Sequence, residues 1–149
     1  MTVPLPKPIE RGASDLIHQA ALRYLARRPR TIAHMTAYLT RIGASPTGIR
    51  SAIAKFQRLG YLDDDAYARQ WARDRLARKP MGRERLEQEL ERQGLEAHII
   101  AVTVEELYSE TSEREVALKL AGSRAVTPSF LRRWGFSEET IETIVARLE

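Results

Sequence analysis

Apolar residues recur along this chain at three- and four-residue intervals, the spacing of one face of an α-helix. Leu16, Ile17, Ala20, Ala21, Tyr24 and Leu25 make the first such face, with Ser14 or Asp15 placed to cap it. It stops at Arg27-Arg28-Pro29-Arg30, because a proline disfavours helical backbone in the residue before it. Ile32, Met35, Leu39 and Ile42 mark a second helix that ends at Gly43, and Ser45-Pro46 opens a third that turns Ile49, Ile53 and Phe56 inward and closes at Gly60. Asp63, Asp64 and Asp65 then stand where carboxylates meet the free N–H groups of a fourth helix, whose stripe is Tyr67, Ala68, Trp71 and Ala72. If that stripe is core, Trp71→Ala should cost about 3–5 kcal/mol.

Pro80 and Gly82 break this run, and a fifth helix extends from about Arg83 through Leu86 and Leu90 to Gly94. Ile99, Ile100, Val104 and Leu107 belong to a sixth. Ser112 and Glu115 read as a capping box for a seventh that ends near Gly122. Thr127-Pro128 starts a short eighth helix to Trp134. A ninth begins at Ser137 and is expected to bury Ile141, Ile144, Val145 and Leu148. No stretch alternates with period two, so the expected fold is all-α without a sheet.

The nine expected helices fall into three copies of one unit. With Gly43, Gly94 and Gly135 aligned, Leu39, Leu90 and Leu131 lie four residues before, and Arg41, Arg92 and Arg133 two before. Ile49, Ile100 and Ile141 follow six residues after, then Ile53, Val104 and Val145, then Phe56, Leu107 and Leu148. Copies one and two also agree in their first helices at an offset of 51, so that Arg27-Arg28-Pro29 matches Arg78-Lys79-Pro80, while Tyr24 stands opposite Arg75. That exchange places the Arg75 stem on the core edge with its guanidinium reaching out or pairing an acid. The organisation this implies is a disordered, proline-containing lead over residues 1–13, then three-helix repeats over 14–62 and 63–108 and a shortened one over 109–149. Together they would form an elongated helical array in which each unit covers the open face of the next.

Charge separates the copies more than composition does. The net formal charge is +4, yet residues 14–62 carry eight Lys or Arg against Asp15 alone, whereas residues 63–108 carry eight bases and eleven acids. A basic front third suggests an anionic partner. With 43% apolar and 30% charged residues the chain is globular in composition. It has no cysteine, which removes disulfides, thiolate metal sites and thiol nucleophiles. No export signal and no apolar run of membrane-spanning length is visible, so a soluble cytoplasmic protein is expected, with no membrane partner.

Catalytic chemistry finds no footing in the residues. His18, His34 and His98 are isolated and lack ligand spacing. Gly43 to Gly48 has the spacing of a phosphate loop, but Ile49-Arg50 replaces the Lys and Ser/Thr it requires. The three aspartates lack the alternating ligands and distant Glu of an EF-hand, so capping is the better use for them. No cofactor and no metal is expected, and the protein reads as a non-enzyme.

What remains is recognition. Between Arg69 and Arg85 stand seven Lys or Arg against only Asp74 and Glu84. The candidate binding residues are Arg69 and Arg73 on the fourth helix, Arg78 and Lys79 at its end, and Arg83 and Arg85 opening the fifth, with Arg27, Arg28 and Arg30 as the matching elbow of copy one. Guanidinium forks suit phosphates or a carboxylate-rich protein face. The competing arrangement is a set of exposed bridges to Glu84, Glu87, Glu89 and Glu91, worth about 0–1 kcal/mol each.

Leu62-Asp63-Asp64-Asp65, Tyr67-Ala68 with Trp71, the basic run Arg75 to Lys79, and Glu89-Leu90 to Gly94 together resemble the RecX family, bacterial regulators of the RecA recombinase. The resemblance implies an all-helical, three-unit protein lying along the groove of the RecA filament on single-stranded DNA. It further implies depressed ATP hydrolysis and strand exchange, with hindered filament growth or promoted disassembly. The implied partners are that filament and, as a second partner, single-stranded or duplex DNA; a monomer is expected. An alternative reading is a helix-turn-helix DNA-binding transcriptional regulator, because Met35 to Leu62 resembles the core of a winged-helix repressor with Arg50 and Lys55 facing a major groove.

Overall fold

The structure, a computed structural model, describes residues 11–148. The expectation of a disordered lead falls for residues 1–10 outside the described residues. Among the described residues there are nine α-helices and no strand: α1 (Arg11–Arg27), α2 (Ile32–Arg41), α3 (Pro46–Arg58), α4 (Asp64–Arg78), α5 (Arg83–Arg92), α6 (Ala97–Glu110), α7 (Glu113–Ser123), α8 (Pro128–Arg133) and α9 (Glu138–Leu148). The fold is all-α, in three successive three-helix sets. Helix α1 already runs from Arg11, upstream of the Ser14 and Asp15 expected to cap it. Among the described residues no strand pair follows α3 to supply the wing of a winged-helix reader.

Local chemistry accounts for most boundaries. Thr31 caps α2 by accepting from the His34 N–H, and His34 Nδ1 accepts in return from the Thr31 N–H, a reciprocal box with histidine in the place usually held by Glu or Gln. Burial first, then the charges of Arg28 and Arg30, hold the His34 imidazole below its ordinary pKa, which keeps the accepting nitrogen unprotonated. Ser45 caps α3 through the Gly48 N–H, so the glycine pair that mimics a phosphate loop is a helix–helix turn. Ser112 accepts from the Glu115 N–H, one half of the expected box. The three aligned glycines, Gly43, Gly94 and Gly135, all have positive φ, at 91°, 82° and 82°. Each reverses the chain after the second helix of its set, and the next residue, Ala44, Leu95 or Phe136, turns into the core.

The chain divides into two compact units. In the first, up to Tyr67, α1, α2 and α3 pack on one another around Ile17, Ala21, Met35, Leu39, Ile49, Ala52, Phe56 and Leu62. The second, from Ala68 on, joins α5 to α6, and α7 and α8 to α9, with Ala117, Leu131, Phe136, Ile141 and Ile144 at the heart of its last set. Three residues expected inside lie outside: Leu16 is 50% exposed, Ile42 39% and Leu148 61%. Leu16 sits at the rim of a stripe wider than the face that α2 and α3 cover. Ile42 is the C-cap residue of α2, already leaving the helix axis. Phe56, in the same repeat column as Leu148, is covered by Tyr61 and Leu62, whose N–H groups both bond its carbonyl.

Candidate functional site

The acidic start of α4 divides its labour. Asp63 caps its own helix by accepting from the Ala66 N–H, while Asp64, buried, accepts at 2.9 Å from the Ile32 N–H at the start of α2. Glu113 repeats the device one copy later. From the first turn of α7 its carboxylate accepts from the Arg83 N–H at the start of α5, and also from the Ser137 N–H, the Ser137 hydroxyl and the Thr140 hydroxyl, at 2.7–2.9 Å. Burial raises the Glu113 pKa, but these hydrogen bonds outweigh it and hold the carboxyl below the usual range. In both copies an acid in the first turn of the following set thus fixes the helix that leaves a basic elbow.

The elbow residues have different fates. Arg27 and Arg28 are exposed and form no ion pair among the described residues. Arg30 is buried: its Nε donates to the Tyr24 carbonyl and its guanidinium lies 3.8 Å from the centroid of the Tyr24 ring, which itself stacks on Tyr38. It serves as packing. In the second unit Arg69 is half-buried and Arg78 exposed, both without an ion pair among the described residues. Arg73 pairs with Glu110 at 3.0 Å and Arg83 with Glu105 at 2.9 Å, both on the surface. Such exposed pairs contribute about 0–1 kcal/mol and open readily to a competing anion. Lys79 Nζ and Arg85 Cζ each lie 4.4 Å from the Trp134 ring centroid, so one indole gathers two elbow cations.

Arg85 also bonds Glu89 at 2.9 Å, and Glu89 is shared with Arg75. Burial pushes the Glu89 carboxyl up, and the hydrogen bonds from Arg75 and Arg85 more than reverse this, so it stays ionised. Arg75 therefore takes the acid-pairing place its repeat position suggested. Arg92, an exposed member of the Arg41/Arg92/Arg133 column, lines the same depression as Arg75, Arg78 and Arg85 and had not been singled out. Its repeat column follows from the alignment of the glycines, but only the fold places it beside the elbow. Trp71 is half-buried, not core, while Ala68 and Ala72 carry the buried line of α4. The expected cost of Trp71→Ala is accordingly about 1–2 kcal/mol, less than for a fully buried ring, with the chain still folding cooperatively in a thermal melt.

Two family models match this chain: the RecX second three-helix domain over residues 63–103 and the RecX first three-helix domain over residues 18–56. A regulatory protein RecX of Pelodictyon phaeoclathratiforme is 31% identical over 137 residues, covering 86% of each chain. A regulatory protein RecX of Lactobacillus delbrueckii subsp. bulgaricus is 34% identical over 98 residues, which are 66% of this chain and 35% of that protein, so this chain spans about a third of that relative's length. The crystal structure of RecX from Lactobacillus salivarius shares the fold with a TM-score of 0.81 at 23% identity, over 91% of this chain and 96% of the other. Among the described residues no helix is long and apolar enough to cross a membrane.

Proposed function

This chain belongs to the RecX family of regulatory proteins, and on that premise we propose that it is a non-enzymatic regulator that binds the RecA recombinase filament on single-stranded DNA and lowers its ATPase and strand-exchange activity. One observation supports this reading above the rest. Arg27, Arg28, Arg69 and Arg78 keep their guanidinium groups free of internal ion pairs among the described residues, on or just after α1 and α4, and the helices that follow, α2 and α5, have their starts bonded by the buried carboxylates of Asp64 and Glu113. A rigid scaffold with uncommitted cations meets a polyanionic assembly without first breaking its own contacts, and pays little ordering entropy in doing so. The surface pairs of Arg73 and Arg83 form a second tier that exchanges Glu110 or Glu105 for phosphate.

The test is the steady-state ATPase rate of RecA on single-stranded DNA with rising amounts of this protein. The rate should fall in a saturable manner, and the inhibition should weaken as salt rises, because phosphate contacts release counterions. An unaltered rate at stoichiometric protein would overturn the reading.

A further inference from the structure

In the second unit a groove of about 310 Å³ runs between α5 and the start of α6. Leu95, Ala97, Ile100 and Ala101 give it a mostly apolar lining. Glu87 and Glu91 stand along it one helical turn apart, exposed and without an ion pair among the described residues. The same repeat positions hold Thr36 and Thr40 in the first repeat and Pro128 and Arg132 in the shortened one, so the acidic rim belongs to the second repeat alone.

The turn that closes α3 in the first unit has the opposite character. Leu59 and Tyr61, 53% and 56% exposed, flank Gly60, where an added Cβ would meet nothing within 4 Å. Lys55 and Arg58, in the last turn of α3, are also one helical turn apart and without an ion pair among the described residues. The turn is preformed. The N–H groups of Leu59, Gly60 and Tyr61 bond the carbonyls of Lys55, Gln57 and Phe56, and the Tyr61 ring stacks on Phe56 with centroids 6.0 Å apart. In the second repeat Glu106, Ser109, Glu110 and Ser112 hold these four places, so neither the apolar pair nor the positive charge recurs there.

We propose that the α3 turn of one chain seats in the α5–α6 groove of a second chain, with Leu59 and Tyr61 on the apolar lining and Lys55 and Arg58 against Glu87 and Glu91. Two cations one turn apart then meet two carboxylates one turn apart, and apolar side chains that water now covers meet an apolar floor. A phosphate or an acidic protein face would instead be repelled by both carboxylates. The preformed turn gives up little conformational freedom on docking. Turn and groove are different surfaces, so the contact is heterologous and takes the chain beyond the monomer expected from its sequence. One turn in one groove belongs with the small, transient interfaces that bury less than about 1,200 Å², so the contact forms where the protein is concentrated.

The test is sedimentation equilibrium of the intact chain, alone, from micromolar to millimolar concentration. The average mass should rise with concentration at low salt, and rise less at high salt, which screens exposed charges. Tyr61→Ala should weaken the association about tenfold, the scale of one anchoring interface side chain, with the helical circular dichroism signal retained. Two charge-reversed variants decide the pairing. Glu87→Lys with Glu91→Lys, and Lys55→Glu with Arg58→Glu, should each stay monomeric. Their equimolar mixture should associate again, because the first keeps the native turn and the second the native groove. A constant monomer mass of the wild type over the whole range would overturn the proposal. So would association that survives either reversal, or a mixture of the two variants that stays monomeric. No recombinase and no DNA is present, so the result is independent of the proposed filament inhibition.

Discussion

Gly135→Ala should lower the melting temperature by roughly 6–12 °C, whereas Gly60→Ala should lower it by about 2–8 °C. Both glycines have positive φ, +82° and +78°, so both substitutions carry the left-handed penalty of about 1–2 kcal/mol. They differ in space. A Cβ at Gly60 meets nothing within 4 Å, while at Gly135 it would lie 2.2 Å from the Arg85 backbone nitrogen. The same approach seen from the other side puts a Cβ at Gly82 2.3 Å from the Gly135 carbonyl, where the Gly82 N–H donates to Trp134 O at 2.8 Å. Backbone cannot yield as a side chain does, so Gly135→Ala should cost about 3 kcal/mol or more by separating the start of α5 from the turn before α9. Thermal unfolding followed by circular dichroism checks this, and equal melting temperatures for the two variants would show that the close approach is absent.

Glu113→Ala should destabilise by about 3 kcal/mol or more, the largest loss from any single polar side chain here. The substitution removes the acceptor of the buried Thr140 hydroxyl and of the partly buried Arg83 and Ser137 N–H groups, and unsatisfied buried donors cost about 1–3 kcal/mol each before relaxation. The pH dependence follows from the depressed native pKa of Glu113. Its contribution is complete above the unfolded carboxylate pKa and is lost as pH falls through the native value, because the unfolded chain takes up the proton first. Wild type should therefore lose stability on acidification more steeply than Glu113→Ala. Urea unfolding of both between neutral and acid pH measures the difference, and parallel curves would remove Glu113 from that role.

The helices were legible because their signals are local. Proline after Arg28 and Lys79, glycine at positions 43, 94 and 135, and Ser45 ahead of Pro46 each act within one turn, and the structure places helix ends there. What depended on distant partners was not legible. Asp64 reads as a cap of its own helix, yet it and Glu113 bond the starts of helices that begin 32 and 30 residues earlier in the chain. Arg73 and Arg83 find Glu110 and Glu105, 37 and 22 residues on, while of the nearer Glu84, Glu87, Glu89 and Glu91 only Glu89 pairs an arginine among the described residues. Arg30 reads as an elbow cation, and only the stacked Tyr24 and Tyr38 explain its burial. The sequence period identifies an apolar stripe but not its edges, which is why Leu16 and Trp71 fall outside the core.

The uncommitted cations are the part of the surface on which recombinase regulation is proposed to depend, and reversing them together tests it most directly. Arg27, Arg28, Arg69 and Arg78 replaced jointly by Glu should leave the helical circular dichroism signal in place, since none of them pairs an acid among the described residues. Inhibition of the RecA ATPase on single-stranded DNA should then be lost at every protein concentration that inhibits with the wild type. Undiminished inhibition by the folded variant would contradict it.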